Sequence, residues 1–286
     1  MTPDRGGPVL AVSGLSKRFG DVTAVDDVSF EVTAGGSLAI VGESGSGKTT
    51  VARIVTGLTM PSSGIVRACG EDRTRPARSL RDRRRRAQQV QMVFQDPYSS
   101  LDPRYTAART IEEAVALHAR TRSAHERRRR MDELGELVGL GPAQLAARPA
   151  ELSGGQRQRI AIARALAVEP TLLILDEPVA ALDVSIQAQV LNLLTDIRTE
   201  TGISYLFISH DLAVVRHVTD ELMVMCKGEV VERGRTAEVL DAPQHPYTQV
   251  LLASVPRPGW RPTRSLGQPA TPPEGPDAVA SRGVSS

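Results

Sequence analysis

Gly42-Glu-Ser-Gly-Ser-Gly-Lys-Thr49 sets glycines, a lysine and a hydroxyl in the spacing G-x-x-x-x-G-K-[ST]. Glycines let a backbone turn aim several N–H groups inward, which makes a nest for phosphate oxygens. The apolar run Leu38–Val41 before it reads as a strand, and the spacing after Gly47 reads as a helix. The free N–H groups and dipole of that helix add to the anion site. Lys48 supplies a compact positive charge for β- and γ-phosphates, and the Thr49 hydroxyl suits Mg²⁺. Glu43, Ser44, Gly45, Ser46, Gly47 and Thr50 complete the cradle. Farther on, Leu172-Leu-Ile-Leu-Asp-Glu-Pro178 delivers two adjacent carboxylates at the C-terminal end of an apolar strand, where open α/β sheets bind ligands. Asp176 suits the Mg²⁺ shell. Glu177 is placed to polarise a water attacking a γ-phosphate, a role that typically contributes about 10²–10⁴-fold.

A second anion-friendly helix start lies between these two elements, in Glu151-Leu-Ser-Gly-Gly-Gln-Arg-Gln-Arg159. Ser153 suits an N-cap, Gly154 and Gly155 bare the backbone, and a helix over Gln156–Ala167 follows, stopping before Pro170. Taken alone, this is also what an ordinary capped helix looks like.

The elements that must position these groups follow from periodicity. Val9–Val12, Val28–Val32 and Leu38–Val41 alternate as short strands, with a Gly35-Gly36 turn. Val51, Ile54, Val55 and Leu58 share one helical face, closed by Pro61. Thr74–Ala87 is Arg-rich and weakly patterned. Ile111, Val115 and Leu117, then Met131, Leu134, Leu137 and Val138, are spaced as helices over about Thr110–Leu140, and this middle block offers no convincing strand. Strand Thr171–Leu175 is continuously apolar, as a central parallel strand should be. Helix Ile186–Glu200 ends at Gly202, strand Ser204–Ile208 and a helix from Asp211 follow, and Leu222–Met225 pairs with Glu229–Glu232 through a Lys227-Gly228 turn. Such alternation implies an α/β protein with a parallel sheet and a helical insert. Residues 257–286 are Pro/Gly/Ser-rich and read as a disordered tail.

Composition excludes some function classes. The net charge is +2 and aromatics are 3%, which argues against a dedicated nucleic-acid binder. Arg83–Arg86 and Arg127–Arg130 read as solvated helix faces paired with Asp82, Glu126, Asp132 and Glu133. The two cysteines, Cys69 and Cys226, fit no metal or disulfide framework. No secretory signal pattern opens the chain and no apolar run reaches membrane-spanning length, so a cytoplasmic protein is expected, tied to a membrane only through a partner.

Lys48-Thr49, Gln95 in Met92-Val-Phe-Gln-Asp-Pro97, Leu152-Ser-Gly-Gly-Gln156, Asp176-Glu177, Ala181-Leu-Asp183 and His210 in Ile208-Ser-His-Asp211 stand in an order that resembles ABC-transporter ATPase subunits. The resemblance covers about residues 9–255. It implies an α/β fold: a P-loop NTPase (RecA-like) core with an N-terminal antiparallel β subdomain and an α-helical subdomain inserted at about 97–165, within a domain of residues 1–256. It also implies that the second anion site acts in trans, with Ser153, Gly154, Gly155 and Gln156 gripping the γ-phosphate of ATP bound on a partner ATPase.

Carried over by resemblance, Phe19 meets the adenine and Gln95 senses Mg²⁺ and the attacking water. His210 contacts the γ-phosphate, and Asp183 communicates across the dimer. Lys48, Gln95, Glu177 and His210 thus form the catalytic set, with Thr49, Gln95 and Asp176 around the metal. Ala180 departs from the serine common in relatives.

Asp96–Arg104 and Ala242-Pro-Gln-His-Pro-Tyr-Thr-Gln249, running on to Pro256, resemble ATPase subunits of oligopeptide, dipeptide and nickel importers. The implied partners are a second ATPase subunit, identical or related, two transmembrane permease subunits and, indirectly, a solute-binding protein, with no nucleic acid. The implied place is the cytoplasmic face of the membrane. An exporter subunit is the alternative. A DNA-associated ATPase of the superfamily usually inserts coiled coils or zinc modules, and a translation-type one carries two cassettes; neither pattern is present.

Overall fold

The structure is a computed structural model that describes residues 7–96, 100–118 and 123–253. The tail expected to be disordered, 257–286, lies outside the described residues, as do residues 97–99 of the Asp96–Arg104 stretch.

Two sheets form the frame. Strands β1 (Pro8–Phe19), β2 (Val22–Thr33), β4 (Ser63–Ala68) and β5 (Glu71–Asp72) make an antiparallel sheet in the order β2-β1-β4-β5. The larger sheet has the order β10-β9-β3-β8-β7-β6, with β3 (Ser37–Val41), β6 (Val90–Val93), β7 (Leu172–Asp176), β8 (Ser204–Ser209), β9 (Glu221–Cys226) and β10 (Glu229–Arg235). Its members run parallel except for β10, which returns from β9 as the Lys227-Gly228 hairpin.

Every residue of β3, β7 and β8 is buried, which is why these strands read as unbroken apolar runs. Their side chains alternate between two cores. Leu38, Ile40, Leu172, Ile174, Leu206 and Ile208 pack with α1 (Lys48–Val55) and the small sheet. Ala39, Val41, Leu173, Leu175, Tyr205 and Phe207 pack with the other helices. Those are α3 (Ala107–His118), α4 (Ala124–Leu137), α5 (Pro142–Ala146), α6 (Gly154–Leu166), α7 (Val184–Thr201), α8 (Leu212–Val218), α9 (Thr236–Asp241) and α10 (Pro246–Ala253), whereas α2 (Leu80–Gln89) buries none of its own residues and lies outside both cores. Helices α3 to α6 all fall between β6 and β7, as a helical insert requires.

Several sequence expectations need correction. The block after Thr74 does contain a strand: β6 pairs in parallel with β7 at the sheet edge. It spans only four residues, is broken by Gln91 and follows α2 with no turn residue between, so period-2 alternation has no length over which to appear. The weakly patterned stretch Thr74–Ala87 contains most of α2, capped by Ser79, whose hydroxyl accepts the Asp82 N–H. Strands β1 and β2 are twelve residues each, far longer than the apolar runs that marked them, because their pairing continues through irregular register and exposed polar positions. Leu58 is 62% exposed: α1 ends at Val55, and Gly57 at φ 79° turns the chain away before Pro61 is reached. Leu117 is 63% exposed because the buried stripe of α3 runs through Ile111 and Val115, and a residue two beyond Val115 falls off that face.

The Arg runs are mostly solvated faces, except that half-buried Arg86 turns onto the carbonyls of Arg75 and Asp72. Arg85 pairs with Glu71 and Asp82, Arg128 with Asp132, and Arg129 and Arg130 with Glu133. Surface pairs of this kind contribute about 0–1 kcal/mol each.

One polar clamp joins strands and helix at the end of the sheet opposite the cradle. Asp220 Oδ2 accepts the Ser37 N–H and hydroxyl at 3.1 and 2.8 Å, and Asp220 Oδ1 accepts from Arg198 Nη2 at 2.9 Å. Burial alone would raise the Asp220 carboxyl, but the bonds from Arg198 and Ser37 outweigh it and hold the group below its ordinary value. Asp220→Asn is therefore expected to cost about 1 kcal/mol at pH 7, the low end for a charged hydrogen bond because the side chain is 54% exposed. A depressed carboxylate stabilises above its unfolded pKa of about 3.9 and loses that contribution as pH falls through the folded value. Urea midpoints of variant and wild type should differ at neutral pH and converge in acid.

Candidate functional site

The loop after β3 wraps the start of α1. Gly42 and Gly47 hold φ of 153° and 105°, and a Cβ at either would stand 2.2 Å from the Met225 carbonyl oxygen or 2.3 Å from that of Ala24. Glycine is required at both by conformation and by space. Lys48 opens α1 and is 5% exposed, its ammonium donating to the carbonyls of Gly42 and Glu43 at 2.7 Å each. Burial pulls that ammonium below its ordinary pKa, against the opposing charges of Glu177, Asp176 and Glu43. The Ser46 carbonyl accepts the Gly228 N–H at 3.1 Å, so the β9–β10 hairpin braces the loop from behind.

The carboxylates of β7 arrive opposite. Asp176, 4% exposed, accepts the Thr49 hydroxyl at 3.3 Å. Burial pushes its carboxyl up, the Thr49 bond pulls it back, and the neighbouring Glu177 adds to the rise. Glu177 sits at φ 48°, a left-handed conformation that costs a non-glycine residue of order 1 kcal/mol. Its N–H donates to the Ile208 carbonyl at 2.9 Å. The side chain is held on both oxygens: Gln95 Nε2 donates at 2.8 Å to Oε2, and His210 Nδ1 lies 3.0 Å from Oε1.

The cleft between these parts has a volume of about 600 Å³. Gly42, Glu43, Ser44, Gly45, Gly47, Lys48, Thr49, Thr50, Gln95, Glu177 and His210 all line it, so most of the sequence-derived set converges. Asp176 and Ser46 stand just behind, through Thr49 and Lys48.

Other candidates do not reach the cleft. Phe19 ends β1, 52% exposed, with the Lys17 ammonium 4.8 Å from its ring centre. Ser153 caps α6 in a reciprocal box with Gln156. Gly154 and Gly155 press on the loop and helix of Asp183: a Cβ at Gly155 would stand 2.4 Å from Ile186 Cγ2, and one at Gly154 would stand 3.1 Å from Leu182 Cδ2. Gly155 therefore has a packing reason to be glycine besides any ligand. Asp183 caps α7 by accepting the Ile186 N–H at 3.0 Å. These two helix starts form a second locus apart from the cleft.

Sequence reasoning missed two wall residues, Ala24 and Leu251, and one residue off the wall, Tyr247, whose hydroxyl bonds the loop. The His245-Pro-Tyr247 segment was visible as a marker, but no local pattern tells which distant loop a tyrosine hydroxyl meets.

The oxygen donors Thr49, Asp176 and Gln95 suit a hard divalent cation that keeps phosphate and water ligands. Among the described residues no group of three or more His, Cys, Asp or Glu converges as a metal cluster, and no helix is long and apolar enough to cross a membrane.

Residues 25–180 match the family model for ABC transporters, more than half of the chain. The chain belongs to that family. Residues 231–278 further match the oligopeptide/dipeptide transporter C-terminal region, which takes in β10 from Val231, α9 and α10 and runs on past the described residues. Among its ABC relatives are the dipeptide transport ATP-binding protein DppF of Haemophilus influenzae, 44% identical over 92% of this chain and 81% of that one, and the oligopeptide transport ATP-binding protein AppF of Bacillus subtilis, 49% identical over 85% and 74%. Its fold matches solved ABC cassettes. The dimeric post-hydrolysis state of the ATP-binding cassette MJ0796 bound to ADP and Pi aligns at a TM-score of 0.71 and 28% identity, covering 79% of this chain and 98% of that one. Clostridium perfringens cbiO1, part of the transporter complex cbiONQ, aligns at 0.74 and 28% identity over 82% and 91%. The parallel core, small antiparallel sheet and inserted helices expected from the sequence are those of an ABC ATPase cassette.

Asp176 generates a stability prediction of its own. An acid raised in the folded state destabilises it as pH climbs past the ordinary carboxylate range. Asp176→Asn should melt about 2–4 °C higher than wild type at pH 7 without nucleotide, the shift that roughly 1 kcal/mol makes in a domain of this size. The gap should close below about pH 4. Calorimetry across pH measures it.

Proposed function

We propose that this chain is the ATP-hydrolysing subunit of an importer for peptides or a related small solute such as nickel. Two ATPase subunits, identical or related, close around two ATP molecules and drive a pair of membrane permeases fed by a solute-binding protein. The chain works as a peripheral subunit at the cytoplasmic face of the membrane. Its ATPase domain is residues 1–256, with the helical module at about 97–165.

The observation that carries this reading is the Glu177 carboxylate, held between Gln95 and His210 at the mouth of the Gly42–Thr50 cradle. A water on Glu177 would lose its proton to the carboxylate as its oxygen forms a bond to the γ-phosphorus, and the bond to the bridging oxygen breaks to leave ADP. His210 and Gln95 aim the carboxylate, and Lys48 exchanges its carbonyl partners for phosphate oxygens, which offer stronger charge-assisted bonds. Thr49, Asp176 and Gln95 would hold Mg²⁺, which would supply positive charge against the phosphates.

The second locus supports action in trans. Ser153, Gly154, Gly155, Gln156 and Asp183 lie outside the chain's own cleft, and α6 opens with free N–H groups suited to an anion supplied by another subunit. Phe19, exposed at the end of β1, is available to stack on adenine. The peptide assignment rests on the C-terminal match and on the names of the relatives.

Glu177→Gln should keep ATP binding and lose hydrolysis by at least about 10²-fold, because the amide cannot take the proton. Steady-state phosphate release and equilibrium nucleotide binding measure the two halves, and near-wild-type turnover would remove Glu177 from the role. Uptake of labelled dipeptides, oligopeptides and Ni²⁺ in cells lacking the chain tests the solute; uptake of all three at the normal rate would overturn the import reading.

A further inference from the structure

We propose that the Tyr247 hydroxyl is a positioning group for the phosphate loop, through which the C-terminal helix sets nucleotide affinity. The inference rests on reading Gly42–Thr50 as the nucleotide cradle.

Helix α10 is fixed before it reaches the loop. The Glu232 carboxylate of β10 accepts the N–H groups of Gln244 and His245 at 2.8 and 3.1 Å. The His245 ring accepts the Tyr247 N–H at 3.2 Å, which caps the helix start that Pro246 opens. Thr248 is fully buried, and Leu251 is 8% exposed in the main core, where Tyr247 also packs. From this base the Tyr247 hydroxyl accepts the Glu43 N–H at 3.1 Å, across 204 residues of chain. Leu251, one turn on, forms part of the cleft wall.

The position of that bond matters. The Glu43 N–H and the Gly42 carbonyl belong to one planar peptide unit, pointing opposite ways. Tyr247 holds one end of the plane and the Lys48 ammonium holds the other. Gly42 lacks a side chain and sits at φ 153°, so on its side the plane has no Cβ to hinder rotation, while on the other the Glu43 carbonyl is held by the Ser46 N–H and Lys48. Remove the hydroxyl and the plane keeps only the lysine, the partner that nucleotide must claim. A loop that is free to turn must be ordered when nucleotide binds, and that ordering lowers affinity.

Tyr247→Phe in the full chain keeps the ring and deletes the bond. Two measurements follow: equilibrium binding of ATP under non-hydrolysing conditions, with KM and kcat measured alongside, and backbone amide exchange of the Gly42–Gly47 segment without nucleotide. The expected result is an ATP Kd and KM raised about 2–10-fold, the effect of one neutral hydrogen bond, with kcat moving less than KM. Amide exchange at Glu43 should quicken at the same time. A contact that served only overall stability would lower the melting temperature and leave both the local exchange and the KM-to-kcat split unmoved. Unchanged or tighter ATP binding by the variant, beside a wild type that binds, overturns the inference alone. A wild type with no affinity for ATP overturns the cradle reading, and the inference with it.

Discussion

Three parallel strands end within one residue of one another, and the chemistry depends on that register. Ile208 of β8 pairs with Ile40 of β3 on one side and with Asp176 of β7 on the other. Strands β3 and β8 run one residue past this line, to Val41 and Ser209, while β7 stops on it, so Gly42, Glu177 and His210 follow strand ends that agree to within one residue and three loops from distant parts of the chain discharge close together. Hydrogen-bonded parallel pairing sets the level, and complete burial on both faces prevents slippage, since a shift of one residue would exchange the two cores. The strain at Glu177 is tolerated because the strands on either side over-determine where it must lie.

The charges at this edge are not at ease without a ligand. A buried ammonium is held by two carbonyls and, at 3.4 Å, one hydroxyl of its own loop, all of them neutral, and a buried carboxylate by one hydroxyl. Buried ions whose hydrogen-bond partners are neutral remain costly, and complementary charge supplied from outside relieves them. The Asp220 clamp at the far edge has the opposite character. Its bonds come from Ser37 and Arg198, and it holds the frame without any ligand.

The sequence carried most of the core and most of the site, for reasons that differ by element. Strands β3, β7 and β8 were readable because full burial leaves an unbroken apolar run. The cradle was readable because its glycines and lysine are fixed by local geometry. Strand β6 was not, since four residues at an edge, interrupted by Gln91, carry no period. Leu58 and Leu117 misled because leucines near a stripe look like members of it until the helix end and phase are known. Tyr247 was recognisable as part of a motif, but its partner 204 residues away is a property of tertiary packing. Likewise Gly155 looked like bare backbone for an anion, when Ile186 also fills the space a methyl would need.

That last contact has a mechanical consequence. Because Gly154 abuts Leu182 and Gly155 abuts Ile186, the start of α6 and the loop that launches α7 are interlocked at van der Waals range. Neither can travel far without dragging the other. A push on Ser153 would be passed to the loop of Asp183 in the same movement, so the two helix starts would answer as a single plate.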